Sequence, residues 1–352
     1  GFAVTGESYN YFINFNNLRK QIRIILKDLK TSELKDLQSR GHQIRALILK
    51  GEVPLDLRTQ IEKAYDLLIK NGNPDVAVRS SATAEDLPGA SFAGQQETYL
   101  NVKGKENLIK AIVKCFASLF TDRAISYRHD KGFDHFKISL SVGVQRMIRS
   151  DLASSGVAFT LDPETGFDKV IVINGAYGLG ELIVQGEIIP DEWIIFKEGL
   201  RKGFPSIISR RLGDKNKKIV YSDKGGTKLI SVDDTKFSDY SLSDKEVLVL
   251  ADWCQKIEDH FSQKHKKIQP MDIEWAKDGK TGELYIIQAR PETIHSEKTG
   301  NTWEEYILLK KGNKILQGIA VGTKIAVGKA GIIKSSTEIN EFRKEQVLVT
   351  ET

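Results

Sequence analysis

In the stretch Met271–Thr293, MDIEWAKDGKTGELYIIQARPET, two runs rich in Ile, Trp and Tyr flank Lys277–Gly282, where Asp278-Gly279 and Gly282 supply turn chemistry. The segment therefore reads as a β-hairpin. Side chains alternate along a strand, so Asp272 and Glu274 point one way and Ile273 and Trp275 the other, while Gln288 and Arg290 share a face of the return strand. If the register joins those faces, two carboxylates, an amide and a guanidinium converge. Neighbouring carboxylates on an apolar ribbon repel each other and need a compensating cation. Mg²⁺ takes a few hard oxygen ligands from protein and completes its shell with water and phosphate, and Arg grips phosphate in a bidentate fork. The same residues also suit an exposed hairpin in which Arg290 forms a salt bridge to Glu274 and nothing binds. The hairpin alone does not choose between a metal-phosphate site and that simpler arrangement.

The 352 residues are enough for about two or three domains and a substantial core. Lys and Arg total 52 against 47 Asp and Glu, and this net charge of +5 is spread along the chain, so no basic tract points to nucleic acid. The longest apolar runs are too short to span a bilayer, and no charged-then-apolar leader opens the chain. A cytoplasmic protein without membrane contact is expected. Cys115 and Cys254 each fall on the apolar stripe of a predicted helix, which points to buried thiols rather than a disulfide or a nucleophile. The chain opens on Gly and a strand-like GFAVT, from which a natural N-terminus further upstream is expected.

Residues 7–70 carry helical patterns. Leu18, Ile22, Ile25 and Leu29 follow the cap candidates Asn16 and Asn17; Ser32 opens a second pattern through Leu34, Leu37, Ile44 and Leu47; a third runs from Pro54 to Asn71-Gly72. Composition then changes at VAVRSSATAEDLPGASFAGQQET, Val76–Thr98, where a short strand containing Arg79 enters a loop of Ser, Ala, Thr and Gly. Small residues let backbone N–H groups approach an anion, and Arg79 adds the positive charge a triphosphate needs. Neither the P-loop nor the dinucleotide spacing is present. A helix at 106–120 and a strand at 138–148 follow. The strand ends in GVQRMI, where Gln145, Met147 and Ile148 offer an adenine polar and apolar contacts or simply complete a core strand. Strands are expected at 157–161, 170–173 and 193–196; within GAYGLGE the turn Gly178–Glu181 is a phosphate-loop candidate that reads more simply as a structural turn, and Lys215–Lys218 is a solvated charge run. Ser243 and Glu246 form a capping box for a long helix through Val247, Leu250, Cys254, Ile257 and Phe261. Of the six histidines, His42, His260 and His265 fall on polar helix faces, and His129 and His135 flank a Gly turn. None of them, His295 included, is paired for catalysis.

Taken together, VAVRSSATAEDLPGASFAGQQET, GVQRMI with SSGVAFTLDPETGF, GAYGLGE with VQGEIIPDEW, and the hairpin resemble the phosphoenolpyruvate synthase (pyruvate, water dikinase) family. More broadly they resemble the nucleotide-binding domain shared with pyruvate phosphate dikinases and rifamycin phosphotransferases. The resemblance covers nearly the whole chain and is strongest over 76–293. It implies an α+β, ATP-grasp-like fold whose two lobes clamp Mg-ATP, occupying residues 1–295 with a helical region at 7–72. Residues 296–352 would begin an incomplete β-rich segment, the swivelling phosphohistidine domain. By position, Arg79 would contact the phosphates; Gly94, Gln96 and Thr98 would line the loop above them; Gln145, Met147 and Ile148 would form the adenine hinge. Glu274 and Gln288 would hold Mg²⁺ with Asp272 beside them, and Arg290 would stabilise the transferring phosphoryl group. Arg79, Asp272 and Arg290 are thus the implied catalytic set.

The implied enzyme is a gluconeogenic phosphotransferase that converts ATP, pyruvate and water to AMP, phosphate and phosphoenolpyruvate through a phosphohistidine. Its further partners are the phosphohistidine and pyruvate-binding domains of a longer chain, with a homodimer expected for the complete enzyme. Two departures stand out. The family's glycine-rich segment with a phosphate-binding lysine would precede GFAVT and is missing, and no histidine here matches the phosphate acceptor. The fragment alone is therefore expected to bind Mg-ATP weakly and not to complete the reaction. A rifamycin-type phosphotransferase, a nucleotide-sensing module without catalysis and a remnant that binds no nucleotide are the alternatives; the DIEWAKDG run favours the synthase over the first.

Overall fold

The computed structural model describes residues 1–70, 75–82, 86–87, 90–91, 97–222, 226–233, 238–293, 307–316, 325–334 and 342–350. Within them the protein is α+β, with antiparallel main sheets, and divides into two compact units: residues 1–147 with 221–228, and 148–220 with 229–352. No helix among the described residues is long and apolar enough to cross a membrane.

In the first unit, β1 (Phe2–Val4) leads into α1 (Gly6–Phe15), α2 (Leu18–Leu26), α3 (Leu34–Leu49) and α4 (Leu55–Ile69). Then come β2 (Val76–Ala82), the short pair β3 (Asp86–Leu87) and β4 (Ala90–Ser91), β5 (Thr98–Val102), α5 (Lys105–Ser118), α6 (Asp122–Asp130) and β6 (Leu140–Arg146). The main sheet runs β1-β6-β2-β5. Its strands alternate: Val76, Val78, Leu140, Val142 and Val144 are buried, whereas Arg79, Ser81, Ser141, Gly143 and Gln145 on the other face are not. The buried face meets Phe12, Ile22, Ile44, Ile48, Tyr65, Leu108, Ile112 and Phe116 from the helices. Each such side chain contributes about 1.5–3 kcal/mol on leaving water.

Local chemistry moved two helix starts. Asn16 closes α1 instead of opening the next helix, its Nδ2 donating to Phe12 O and Glu52 O at 2.9 Å. Asn17 occupies the N-cap of α2 in the left-handed region, φ 53°, without a side-chain cap bond, and Glu33 rather than Ser32 precedes α3. Position 72 and the Asn71-Gly72 stop lie outside the described residues.

The second unit holds β7 (Ser154–Phe159), β8 (Val170–Tyr177), α7 (Glu181–Val184), β9 (Asp191–Phe196), α8 (Lys197–Arg201), β10 (Ile207–Arg211) and a ribbon of β11 (Lys217–Tyr221) with β12 (Thr227–Ser231). After these come α9 (Asp244–His265), β13 (Met271–Lys277), β14 (Leu284–Pro291) and the parallel pair β15 (Lys329–Ile332) and β16 (Gln346–Val349). The six-stranded sheet runs β10-β9-β8-β7-β13-β14. One of its faces, with Ile171, Ile173, Trp193, Ile195, Ile273 and Trp275, packs on Val247, Leu250, Ala251 and Cys254 of α9. The expected capping box opens that helix: Ser243 Oγ accepts from Glu246 N–H, and the Glu246 carboxylate accepts from Ser243 N–H. Gly175 lies under the Trp275 ring, where a Cβ would stand 2.9 Å from Cζ2, so only a hydrogen fits. Both cysteines are buried as expected, and burial pushes each thiol up to about 12.

Two buried polar clusters were invisible in the sequence. Lys215, expected in a solvated loop, has no exposed side-chain surface and pairs with Asp191, whose carboxylate also accepts from Gly213 N–H at 3.0 Å and Ser241 N–H at 2.8 Å. Burial of Asp191 at the start of β9 demands a cation, and Lys215 supplies it. In the first unit Arg128 is fully buried, lies over the Phe120 ring, and donates from Nε to His135 Nδ1 at 2.9 Å. Burial, then the adjacent guanidinium, lowers the His135 pKa to about 4.

Two outcomes follow from these clusters. Lys215→Ala should cost about 3–5 kcal/mol in urea denaturation, because it strands a buried carboxylate, whereas Lys217→Ala, at an exposed position, should change little. Because the folded pKa of His135 lies below its usual 6.5, the unfolded chain takes up the proton first as pH falls. Stability of the first unit should therefore be level above about pH 6.5 and decline between there and about pH 4, and His135→Gln should flatten that part of the profile.

Candidate nucleotide and metal site

The hairpin forms as the alternation predicts. Asp278 Oδ1 accepts from the N–H groups of Lys280 and Thr281 at 2.7 and 3.2 Å, and Gly282 takes the left-handed conformation at φ 75° that closes the turn. From the turn the pairing runs Lys277 with Leu284, Ala276 with Tyr285 and Trp275 with Ile286. Continued without interruption, that count would set Gln288 opposite Ile273 and turn it into the core. The register shifts instead between Glu274 and Trp275, leaving Ile287 as the extra residue of a bulge. Beyond it Glu274 lies opposite Gln288 and Asp272 opposite Arg290. Directly opposed residues share a face, so all four line the side of the sheet away from α9. Val157 and Phe159 of β7 lie across from Glu274 and Asp272 on that same face.

The electrostatics of this face are uneven. Asp272 is half-buried, and Arg290 Nε approaches its Oδ2 at 3.4 Å, so the guanidinium pairs with Asp272 where the simpler hairpin reading had it on Glu274. Asp272 Oδ1 is buried and has no hydrogen-bond partner among the described residues. Burial raises the Asp272 pKa; Arg290 opposes the shift and Glu292 adds to it. A buried carboxylate oxygen left over beside Glu274 and Gln288 is a place where a hard cation would lower the energy. No cluster of three or more His, Cys, Asp or Glu suited to a metal occurs among the described residues. An ion held at Glu274 and Gln288 would therefore take the rest of its shell from water and a ligand, which is the habit of Mg²⁺.

The first unit, taken by itself, holds a separate set of candidate residues. Arg79 on β2 lies opposite Thr98 of β5 and Gly143 of β6, and Ala77, two residues along, lies opposite Gln145. Arg79, Thr98 and Gln145 thus occupy the sheet face turned away from the helical core. Ala3, opposite Gly143 from β1, and the pair Ser81 and Ser141 complete that face. One guanidinium on a floor of Gly, Ala and Ser leaves room for a bulky anion against the backbone. The alternating small residues of VAVRSSA and SVGVQ were the signal for this floor, and Ala77, Ser81, Ser141 and Gly143 were not singled out from sequence. Met147 is buried, and its N–H is taken by Asp75 O at 2.9 Å. Ile148 begins the second unit and is half-buried; its carbonyl accepts from Ser150 N–H at 2.8 Å. Gly94 and Gln96 lie outside the described residues, as does His295.

GAYGLGE serves the fold. Gly178 N–H donates to Ala153 O and Leu179 N–H to Ile219 O, so these donors are already used, and Gly178 holds φ 86°. His42, His260 and His265 are exposed on their helices.

Comparison with known proteins follows the same lines. The chain is 53% identical over its whole length to the phosphoenolpyruvate synthase of Aquifex aeolicus, covering 42% of that protein. It is 51% identical over 99% of its length to the phosphoenolpyruvate synthase of Synechocystis sp., covering 44% of it. To that of Escherichia coli it is 43% identical over its whole length, again covering 44%. The chain thus spans less than half the length of these relatives. Residues 1–308 match the family described as pyruvate phosphate dikinase, AMP/ATP-binding domain, and the chain belongs to that family.

Proposed function

We propose that this chain is the ATP-binding portion of an enzyme that makes phosphoenolpyruvate from pyruvate, ATP and water, and that its two units form an ATP-grasp-like domain. The observation that carries the reading is the register of β13 and β14, which sets Glu274 against Gln288 and Asp272 against Arg290 on one open face. The relatives at 43–53% identity, all phosphoenolpyruvate synthases, support the choice of reaction.

In this reading Glu274 and Gln288 hold Mg²⁺. When bound, the ion would supply positive charge that offsets the phosphates. Because AMP is a product, the bond that breaks lies between the α- and β-phosphates: the β,γ-phosphoryl unit passes to the acceptor histidine, water releases phosphate from it, and the remaining phosphoryl group goes to pyruvate. Arg290, kept in place by Asp272, donates to the transferring phosphoryl group, and Asp272 offers its spare oxygen to the same cluster. Arg79 contacts the phosphates from its floor of small residues, Thr98 and the loop residues Gly94 and Gln96 cover them, and Gln145, Met147 and Ile148 contact the adenine. The phosphoacceptor histidine and the pyruvate site belong to parts of the relatives' length that this chain does not span. Residues 296–352 are proposed as the start of the phosphohistidine domain, and the complete enzyme as a cytoplasmic homodimer.

Thermal-shift titration tests the metal assignment. Mg-ATP at about a hundred times its Kd should stabilise the chain by ~2.7 kcal/mol, and ATP with a chelator should stabilise it far less. Glu274→Ala should remove the difference between the two titrations; a difference that persists would end the assignment of Glu274 as a ligand. In a full-length relative, the substitution corresponding to Arg290→Ala should leave the melting temperature within about a degree and slow phosphoryl transfer by roughly 10²–10³-fold. Transfer at the wild-type rate would show that the guanidinium plays no part in the chemistry.

A further inference from the structure

The turn between β13 and β14 is fastened to the stretch of chain that leads into β7. Arg149 N–H donates to Asp278 Oδ2 at 3.2 Å, while Asp278 Oδ1 holds the turn's own N–H groups, and Gly279 N–H donates back to Arg149 O at 3.0 Å. One carboxylate thus closes the turn with one oxygen and ties it to Arg149 with the other. The approach is close enough to dictate residue type. A Cβ on Gly279 would collide with Leu152 Cβ and stand 2.7 Å from the Leu152 carbonyl carbon. Gly279 does not lie in the left-handed region, so close approach alone calls for glycine here. The receiving segment is well anchored: Ser150–Leu152 is a 3₁₀ turn, and Arg149 grips the buried Asp151 carboxylate with Nε at 2.8 Å and Nη2 at 2.9 Å.

Arg149 follows Ile148, which the proposed function sets against adenine, and the strands beyond the turn carry Glu274 and Gln288, which it sets on the metal. Ile148 and the hairpin belong to the same unit. Four residues separate Asp278 from Glu274, about 13 Å of strand at roughly 3.3 Å per residue. A hydrogen-bonded ribbon of that length, fixed at one end to Arg149, is a spacer between the two ends of one ligand. Resting on the assignment of ATP to this site, we propose that Asp278 and Gly279 are positioning residues: they hold the metal pair at the distance from Ile148 that lets adenine and the Mg-triphosphate engage together. Two weak contacts joined in one ligand reinforce each other only where the spacing lets both form, and are lost as a pair where it does not.

Amide NMR titrations of the 352-residue chain with Mg-ATP, adenosine and Mg-tripolyphosphate test this. Asp278→Asn keeps an Asn-Gly turn and its acceptor oxygen but turns an amide NH2 toward Arg149 N–H, and Gly279→Ala pushes the turn off Leu152. Each should weaken Mg-ATP about tenfold and leave adenosine and Mg-tripolyphosphate within about twofold of their wild-type affinities. A loss shared equally by all three ligands would reduce the two residues to a structural role. Mg-ATP affinity unchanged in both variants, or no tighter in the wild type than that of the separate halves, would show that the spacing joins nothing. Any of these results overturns the proposal and leaves the ATP reading standing, whereas a wild-type chain that binds none of the three would overturn both.

Discussion

The bulge at Ile287 is the constraint on which the candidate metal site depends. A sheet with one face on a helix must send alternate side chains inward, and β13 does so with Ile273 and Trp275 against α9. The return strand then has to deliver Ile286 and Ala289 to the core and Gln288 and Arg290 to the open side. Strict alternation cannot satisfy both, because Ile286 and Gln288 have the same parity. One extra residue resolves the conflict and aligns two polar pairs that a regular ladder would have separated.

That alignment is held by burial more than by the polar groups themselves. Trp275 is seated where Gly175 offers only a hydrogen, and Trp193 and the aliphatic face of α9 close the layer. Shifting the strand by one residue would put Asp272 and Glu274 into this core, a cost of several kcal/mol per unpaired carboxylate. The open face can therefore carry an incompletely satisfied carboxylate, Asp272, without risk to the register. An unsatisfied polar atom on one face is tolerated where the packing of the other face over-determines the fold.

The first unit follows the same scheme with different chemistry. Its helices cover one sheet face, and the other presents a single arginine among small residues. Small side chains contribute little to burial, so their recurrence at Ala77, Ser81, Ser141 and Gly143 reflects the space they leave. At β14, by contrast, the guanidinium is paired with a carboxylate, that of Asp272.

Much of this was determined by the sequence by itself. The hairpin, its turn, the shared faces of Asp272 with Glu274 and of Gln288 with Arg290, the capped α9, the buried cysteines and the family follow from local periodicity and motif order, which are properties of neighbouring residues. Tertiary structure decided the rest. The pairing of Glu274 with Gln288 needed the bulge, whose only local trace is the unbroken apolar run Tyr285-Ile286-Ile287. The burial of Lys215 needed Asp191, distant in sequence, to be desolvated first, and His135 took its low pKa from its own burial and then from an arginine that the core had enclosed beside it. In each case the outcome turns on which partner solvent exclusion brings within reach, and a chain read one neighbourhood at a time does not contain that information.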